Sequence, residues 1–131
     1  MLDTDLCIRV LRDRPVGLRD RFNAEAQALC ISSVTLAELF YGAEKSANPI
    51  GHRQKVEAFA GRVDLLHFDH VAAAHFGEIR AVLEREGQVI GPYDLMIAAH
   101  ARSRGLIVVT GNLGEFRRVA GLRAEDWLAS D

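Results

Sequence analysis

The sequence predicts an α/β fold in which a parallel sheet is covered by helices on both faces. Four short apolar segments, each of strand length, alternate along the chain with longer segments of helical periodicity. Strands that are separated by helices in this way form parallel sheets. The segment LIVVT at residues 106–110 is apolar at consecutive positions, which is typical of a strand buried on both faces.

The elements follow one another in a simple order. The predicted strands lie at residues 1–3, 28–32, 63–68 and 106–110. A helical pattern, LCIRVLRDR, follows the first strand. The other predicted helices lie at residues 34–45, 52–63, 69–87 and 91–105.

Several residues mark the ends of these helices. Asp69 is expected to cap the helix that stops at Gly87, since Asp is a favoured N-cap and Gly a favoured residue just past a helix end. Pro92 suits the first turn of the last helix, and Gly105 suits the position after it. We also expect Asp5 to cap the first helix.

The composition is that of a globular protein and fits one domain spanning residues 1–131. Hydrophobic residues make up 49% and charged residues 26%, and no apolar run reaches the roughly 18 residues of a membrane span. No secretory leader is recognisable, so we expect a cytoplasmic protein without membrane association. The formal net charge is -2, and the sixteen basic residues are fourteen Arg and two Lys. A local Arg face could therefore still hold a polyanion.

Acidic and amide side chains stand at equivalent places after successive strands. Asp3 ends the first strand, Glu38 lies in the first turns after the second, Asp94 begins the helix before the last strand, and Asn112 follows that strand. The carboxyl ends of parallel strands meet at one edge of a sheet, so these residues should converge there.

The chemistry of this set favours a metal. Its ligands are all oxygen, which suits Mg²⁺ or Mn²⁺ better than Zn²⁺. Two carboxylates about 4 Å apart repel by roughly 4 kcal/mol at an effective dielectric constant near 20. Three of them would need a cation or a retained proton. Two plainer roles stay open: Thr35 and Glu38 also match a capping box, and Asp94 would favour the helix dipole.

Four segments together resemble a known family. LDTD, ISSVTLAELFYGAEKS, IGPYDLMIAAHARSRGLIVVTGN and the EF at residues 115–116 are similar to the VapC toxins of VapBC toxin–antitoxin modules, which are PIN-domain ribonucleases. The resemblance implies a three-layer α/β/α sandwich with a central parallel sheet and a metal-dependent endoribonuclease that leaves a 5′-phosphate. It also implies inhibition by a VapB antitoxin, and homodimers that form higher assemblies with it.

The resemblance also implies roles for the converging residues. Asp3 and Asp94 would be direct Mg²⁺ ligands, and Glu38 would act directly or through water. Asn112 falls where many relatives hold a fourth Asp, and Glu115 matches an acid of close relatives. The leading substrate is initiator tRNA, cut in its anticodon stem–loop. The sequence departs from the pattern at Asp5, which is usually Asn.

The chain also differs from its relatives near its start. Only two residues precede Asp3, so we expect a short first strand and a start codon further upstream.

A mechanism and two rivals follow from these residues. In the nuclease, a water activated near Glu38 attacks the phosphodiester, Thr110 and Asn112 orient ligands, and some Arg side chains contact phosphates. The Arg candidates are Arg9, Arg12, Arg102 and Arg104. The rivals are a phosphoacceptor receiver-like domain, with Asp69 as the acceptor, and a DxD phosphatase. Both call for a Lys late in the chain, and none follows Lys55.

Overall fold

The computed structural model describes residues 1–128, and it confirms the predicted α/β class. Seven α-helices and four strands alternate over this range, with a short 3₁₀ turn at Ala26–Ala28. The helices are α1 Thr4–Arg12, α2 Leu18–Glu25, α3 Ser33–Glu44, α4 Pro49–Ala60, α5 His70–Arg85, α6 Pro92–Ser103 and α7 Leu113–Phe116. The strands are β1 Cys30–Ser32, β2 Asp64–Leu66, β3 Ile107–Thr110 and β4 Arg123–Asp126.

The sheet consists of two parallel pairs joined by the first residues of the chain. β1 pairs with β2, and β3 pairs with β4. Between them, the Leu2 backbone N–H donates to the Cys30 carbonyl at 3.0 Å, and the Asp3 N–H donates to the Val109 carbonyl at 3.0 Å. The predicted first strand is therefore present as a short central segment, residues 1–3, with β1 on one side and β3 on the other.

Two hydrophobic cores lie on opposite faces of this sheet. Leu2, Ile31 and Val109 face one core, which they share with apolar residues of α1, α2, α3 and α4. Met1 and Val108 face the other core, which contains residues of α5, α6 and α7. Neighbouring residues of one strand thus point to different cores, as the alternation of side chains in a strand requires. The result is a helix–sheet–helix sandwich.

Three elements were missing from the sequence prediction. β4 reads Arg-Ala-Glu-Asp and α2 buries only Leu18 and Phe22, so neither carries a wide apolar face. α7 has only four residues, too few for a helical period to be visible. The predicted strand at residues 28–32 begins only at Cys30, because the 3₁₀ turn occupies the residues before it.

The helix ends agree with the prediction at α5 and α6. Asp69 accepts the backbone N–H of Ala72 at 3.0 Å and caps α5. Gly87 and Gly105 follow α5 and α6 with φ values of 65° and 66°, in the left-handed region that favours glycine. Pro92 stands in the first turn of α6.

One capping prediction was wrong, and one alternative that the sequence left open is not realised. Asp3 caps α1, whereas Asp5 lies one step inside the helix and pairs with Arg9 at 2.9 Å. The capping box of Thr35 and Glu38 does not form, because α3 starts directly after β1 and is capped by Ser32. Within residues 1–128, the helices are too short or too polar for a membrane span.

Candidate active site

Asp3 stands at the centre of the candidate site. It is the last residue of the central segment, and its side chain is only 2% exposed. Its Oδ1 accepts the Leu6 backbone N–H at 2.9 Å, and its Oδ2 accepts the Thr110 hydroxyl at 2.5 Å. Asp3 is also the N-cap of α1.

Burial governs the protonation of Asp3. Burial raises the pKa of the carboxyl from 3.8 to about 6, while the hydrogen bonds from Thr110 and Leu6 oppose that shift. The negative charges of Asp5 and Glu38 raise the pKa further. A cation bound next to Asp3 would therefore stabilise the charged form of its carboxyl group.

Glu38 is fixed from the neighbouring helix. It lies half-buried in the second turn of α3, and the Thr4 hydroxyl donates to its Oε1 at 2.5 Å. The same hydroxyl lies 3.2 Å from the Thr35 Oγ1. Thr4 follows Asp3 directly, so this contact fixes Glu38 relative to the central segment.

Asp94 completes a group of three predicted acids around one crevice. It lies half-buried in the first turn of α6. Burial raises its pKa from 3.8 to about 8, assisted by a hydrogen bond to Glu115 and by the charge of that residue. The charges of Asp3 and Glu38 contribute in the same direction. The three acids thus act on one another electrostatically, as expected for residues at one edge of the sheet.

Glu115 is an additional member of the site. It lies in α7, and its Oε1 accepts the Gly91 backbone N–H at 3.5 Å, just before α6 begins. The resemblance had pointed to this residue, although its spacing from the other acids gave no such signal.

The predicted site residue Asn112 is linked to Asp3 only indirectly. Its side chain is exposed and makes no capping bond at the start of α7. Its backbone N–H donates to the Thr110 hydroxyl at 2.8 Å, and that hydroxyl in turn donates to Asp3. Thr110 therefore links Asn112 to Asp3.

The acids are near one another without forming a closed metal cage. Among residues 1–128, no three His, Cys, Asp or Glu side chains are gathered tightly enough to hold an ion as placed. The donor set nevertheless fits a hard divalent cation in kind, since it offers carboxylate oxygens with raised pKa values and an excess of negative charge.

The predicted Arg contacts are mostly elsewhere. Arg102 lies at the far end of α6 and donates to His75, Glu78 and the Ala120 carbonyl. Arg104 directly follows α6 at that same far end. Arg9 is paired with Asp5. Arg9 and Arg102 thus use their guanidinium groups in contacts within the protein.

A cavity of about 750 Å³ opens beside Glu38 and Thr4. Arg12 is the predicted phosphate contact that lines it. Its other polar lining residues escaped the sequence analysis: Tyr41, Lys45, Ser46, His52, Lys55 and Tyr93. Tyr41 and Lys45 lie at the end of α3, Lys55 in α4 and Tyr93 in α6, so no local spacing in the sequence could have joined all four.

The receiver-like alternative is not supported by the position of its acceptor. Asp69 instead accepts the Ala72 backbone N–H as the cap of α5. It is not among the groups that shift the pKa of Asp3. The phosphatase alternative still lacks the Lys that it calls for late in the chain, since none follows Lys55.

Comparison with known proteins gives consistent results. The PIN domain family matches residues 1–122. A tRNA(fMet)-specific endonuclease VapC of Shigella flexneri is 55% identical over 127 residues, covering 97% of this chain and 96% of the relative. Ribonuclease VapC2 of Haemophilus influenzae is 49% identical over 128 residues, covering 98% and 97%.

Solved structures show the same similarity. A chain in the crystal structure of DNA-bound VapBC from Salmonella typhimurium has a TM-score of 0.91 and 54% identity, covering 97% of this chain and 96% of that one. A chain in VapBC2 of Rickettsia felis, bound to a promoter DNA fragment, has a TM-score of 0.89 and 34% identity, with 97% of each chain covered.

Proposed function

Because the chain belongs to the VapC group of PIN-domain ribonucleases, we propose that the crevice around Asp3 is the active centre of a metal-dependent endoribonuclease. The observation that supports this most directly is the convergence of Asp3, Glu38 and Asp94. They come from the central segment, α3 and α6, yet their charges act on one another.

The cofactor in this proposal is Mg²⁺, with Mn²⁺ able to replace it. Asp3 and Asp94 would hold the ion directly, and Glu38 would do so directly or through water. The bound ion would lower the pKa of a water molecule and neutralise charge on the phosphate. The all-oxygen donor set and the raised carboxyl pKa values support this choice.

The protein's own residues orient the reaction. Leu6 and Thr110 hold the two oxygens of Asp3, so that its carboxylate cannot rotate freely. Thr4 holds Oε1 of Glu38, which leaves Oε2 to accept a proton from the attacking water. Glu115 accepts the Gly91 backbone N–H just before α6 begins, which places its carboxylate beside Asp94.

The relatives suggest the substrate and the partner. Two of them are named tRNA(fMet)-specific endonucleases, so we propose initiator tRNA as the substrate and its anticodon stem–loop as the place of the cut. Related chains occur in VapBC complexes, one of which is described as a toxin–antitoxin system. We therefore propose that a VapB antitoxin inhibits this enzyme, and that the enzyme forms homodimers.

Substitution of Asp94 tests the proposal. Asp94→Asn keeps the shape of the side chain and removes its charge, so we expect cleavage of initiator tRNA in Mg²⁺ to fall at least a hundredfold. The control is Asp20→Asn, an exposed acid on α2, which should cut normally. Mapping of 5′ ends would locate the cut. Undiminished cutting by Asp94→Asn, or full activity of the unmodified protein in EDTA, would refute this function.

A further inference from the structure

Two adjoining cavities form a groove along α1 and α4. The larger one, of about 750 Å³, opens beside Glu38, and a second one, of about 360 Å³, continues between α1, α2 and α4. Leu11 and Lys55 line both of them. We call the two together the α1–α4 groove.

The charge of this groove differs from that of the whole chain. The chain carries a formal net charge of -2, yet Glu38 is the one acid among the described residues that line the groove. Five lining residues are basic, and both lysines of the sequence are among them. They are Arg12, Arg19, Lys45, Lys55 and Arg62. The groove is therefore complementary to a polyanion.

Nearby acids do not neutralise these cations. Six ion pairs form within residues 1–128, and none of them includes a basic residue of the groove. Arg19 is fixed by donating to the carbonyls of Val10 and Leu11. Its charge is thus held in place while remaining available to an anion.

Two solvent-exposed tyrosines lie at the end of the groove nearest the active site. Tyr41 is 66% exposed and Tyr93 is 56% exposed, although both line the larger cavity. Tyr93 directly precedes Asp94, and Lys45 Nζ lies 4.8 Å from the centre of the Tyr41 ring. A basic groove with exposed aromatic rings is the arrangement with which proteins bind single-stranded nucleic acid, since the rings stack on bases.

We propose that the α1–α4 groove holds a single-stranded segment of the RNA next to the bond that is cut. Lys45 and Lys55 bind its phosphates, and Tyr93 stacks on a base beside the cut. The inference rests on the proposed function, and it adds the path of the strand and the residues that select unpaired RNA.

Removal of the two lysines tests the phosphate contacts. Lys45→Gln and Lys55→Gln are made together in the Asp94→Asn protein, and binding of a labelled anticodon stem–loop of initiator tRNA is followed by fluorescence anisotropy. We expect binding at least tenfold weaker. The slope of log Kd against log salt should become shallower by about 0.7 for each lost contact.

The control removes a charge from the opposite helical layer. Arg85→Gln, exposed at the end of α5, should leave both the affinity and the salt slope unchanged. With Asp94 intact, the double lysine variant should show a raised KM and a kcat within about twofold of normal, because the lysines do not touch the reacting atoms.

Tyr93 is tested by two substitutions. Tyr93→Ala should weaken binding of the stem–loop by roughly tenfold, since stacking on a base contributes about 1–3 kcal/mol. Tyr93→Phe should restore it, because the ring and not the hydroxyl makes the contact. A fully paired RNA of the same length should bind equally to all three proteins.

Two results would overturn the inference. One is unchanged RNA affinity and salt slope in the double lysine variant. The other is normal RNA cutting combined with lost inhibition by the cognate antitoxin, which would assign the groove to a protein partner. Failure of the unmodified protein to cut RNA is a separate result that refutes the proposed function, and the binding assay decides the groove independently.

Discussion

The buried residue Asp3 has three roles. It ends the central segment, caps α1 through the Leu6 N–H and faces the candidate active crevice. A buried carboxyl is normally costly in its charged form, and the Thr110 hydroxyl reduces that cost by donating to Oδ2. Thr110 also accepts the N–H of Asn112, so a single hydroxyl joins the strand end to the next helix.

Substitution of Thr110 should affect both stability and pH dependence. Thr110→Val leaves a buried carboxylate oxygen and a backbone N–H without this partner, so we expect a loss of about 1–3 kcal/mol in unfolding free energy. The Thr110 bond also lowers the pKa of Asp3, so its loss should shift the acidic limb of the cleavage profile to higher pH.

Urea denaturation and a pH profile of tRNA cleavage would measure these effects. Thr110→Ser retains the hydroxyl and serves as the matched control, with both properties close to normal. An acidic limb that stays in place in Thr110→Val would show that the hydroxyl does not control Asp3.

At the scale of the elements, helix starts place the acids. Asp3 precedes α1, Asp94 lies in the first turn of α6, and Glu38 lies one turn further into α3. Each helix follows a strand or loop at the carboxyl edge of the sheet. Formation of these helices therefore also places the carboxyl groups at that edge. The ends of the same helices are set by other residues, which can be varied without touching the site.

Two glycine substitutions should change stability in opposite directions. Gly105 follows α6 with φ at 66°, where a Cβ is strained, so Gly105→Ala should destabilise the protein by about 1 kcal/mol. Gly77 lies inside α5, and the space that an added Cβ would occupy has no neighbouring atom within 4 Å. Gly77→Ala should therefore stabilise the protein by about 0.5–1 kcal/mol. Thermal unfolding would measure both, and equal effects of the two changes would contradict the explanation.

The sequence predicted the helix ends correctly where they depend only on neighbouring residues. Asp69, Gly87, Pro92 and Gly105 occupy the predicted helix ends because cap geometry depends on few neighbours. The cap of α1 was misassigned, since two acids flank Thr4 and only the path of the strand decides between them. β4 is too polar to be recognised as a strand, and its pairing with β3 comes from tertiary contact.

The site was partly predictable for the same reason. The meeting of Asp3, Glu38 and Asp94 follows from sheet topology, which the alternation of strands and helices already indicates. The exposed position of the Asn112 side chain depends on α7, which is too short to show helical periodicity in the sequence. The basic groove depends on how several helices are arranged around the two cavities, and this arrangement is not visible in the sequence of any one helix.

At the scale of the whole molecule, the buried acids make stability depend on pH. The folded pKa values of Asp3 and Asp94, about 6 and about 8, exceed the ordinary value of 3.8. The folded protein therefore holds more protons than the unfolded chain between about pH 4 and pH 8. Its stability should fall as pH rises through that window when no divalent cation is present.

A divalent cation should counter this loss. We expect Mg²⁺ or Mn²⁺ to raise Tm more at pH 8 than at pH 6, since protons compete with the ion at the lower pH. Asp94→Asn should reduce both the pH dependence and the response to metal. Differential scanning calorimetry in EDTA and in Mg²⁺ would test this, and a metal-independent Tm at pH 8 would contradict it.

The middle of the sheet has a consequence for synthesis of the chain. Leu2 and Asp3 bond to Cys30 and Val109, so this segment can pair with both of its neighbours only after β3 has been synthesised. A growing polypeptide that lacks β3 can complete neither the strand pairing nor the hydrogen bond that orients Asp3. The proposed active crevice around Asp3 is thus complete only after β3 has been synthesised.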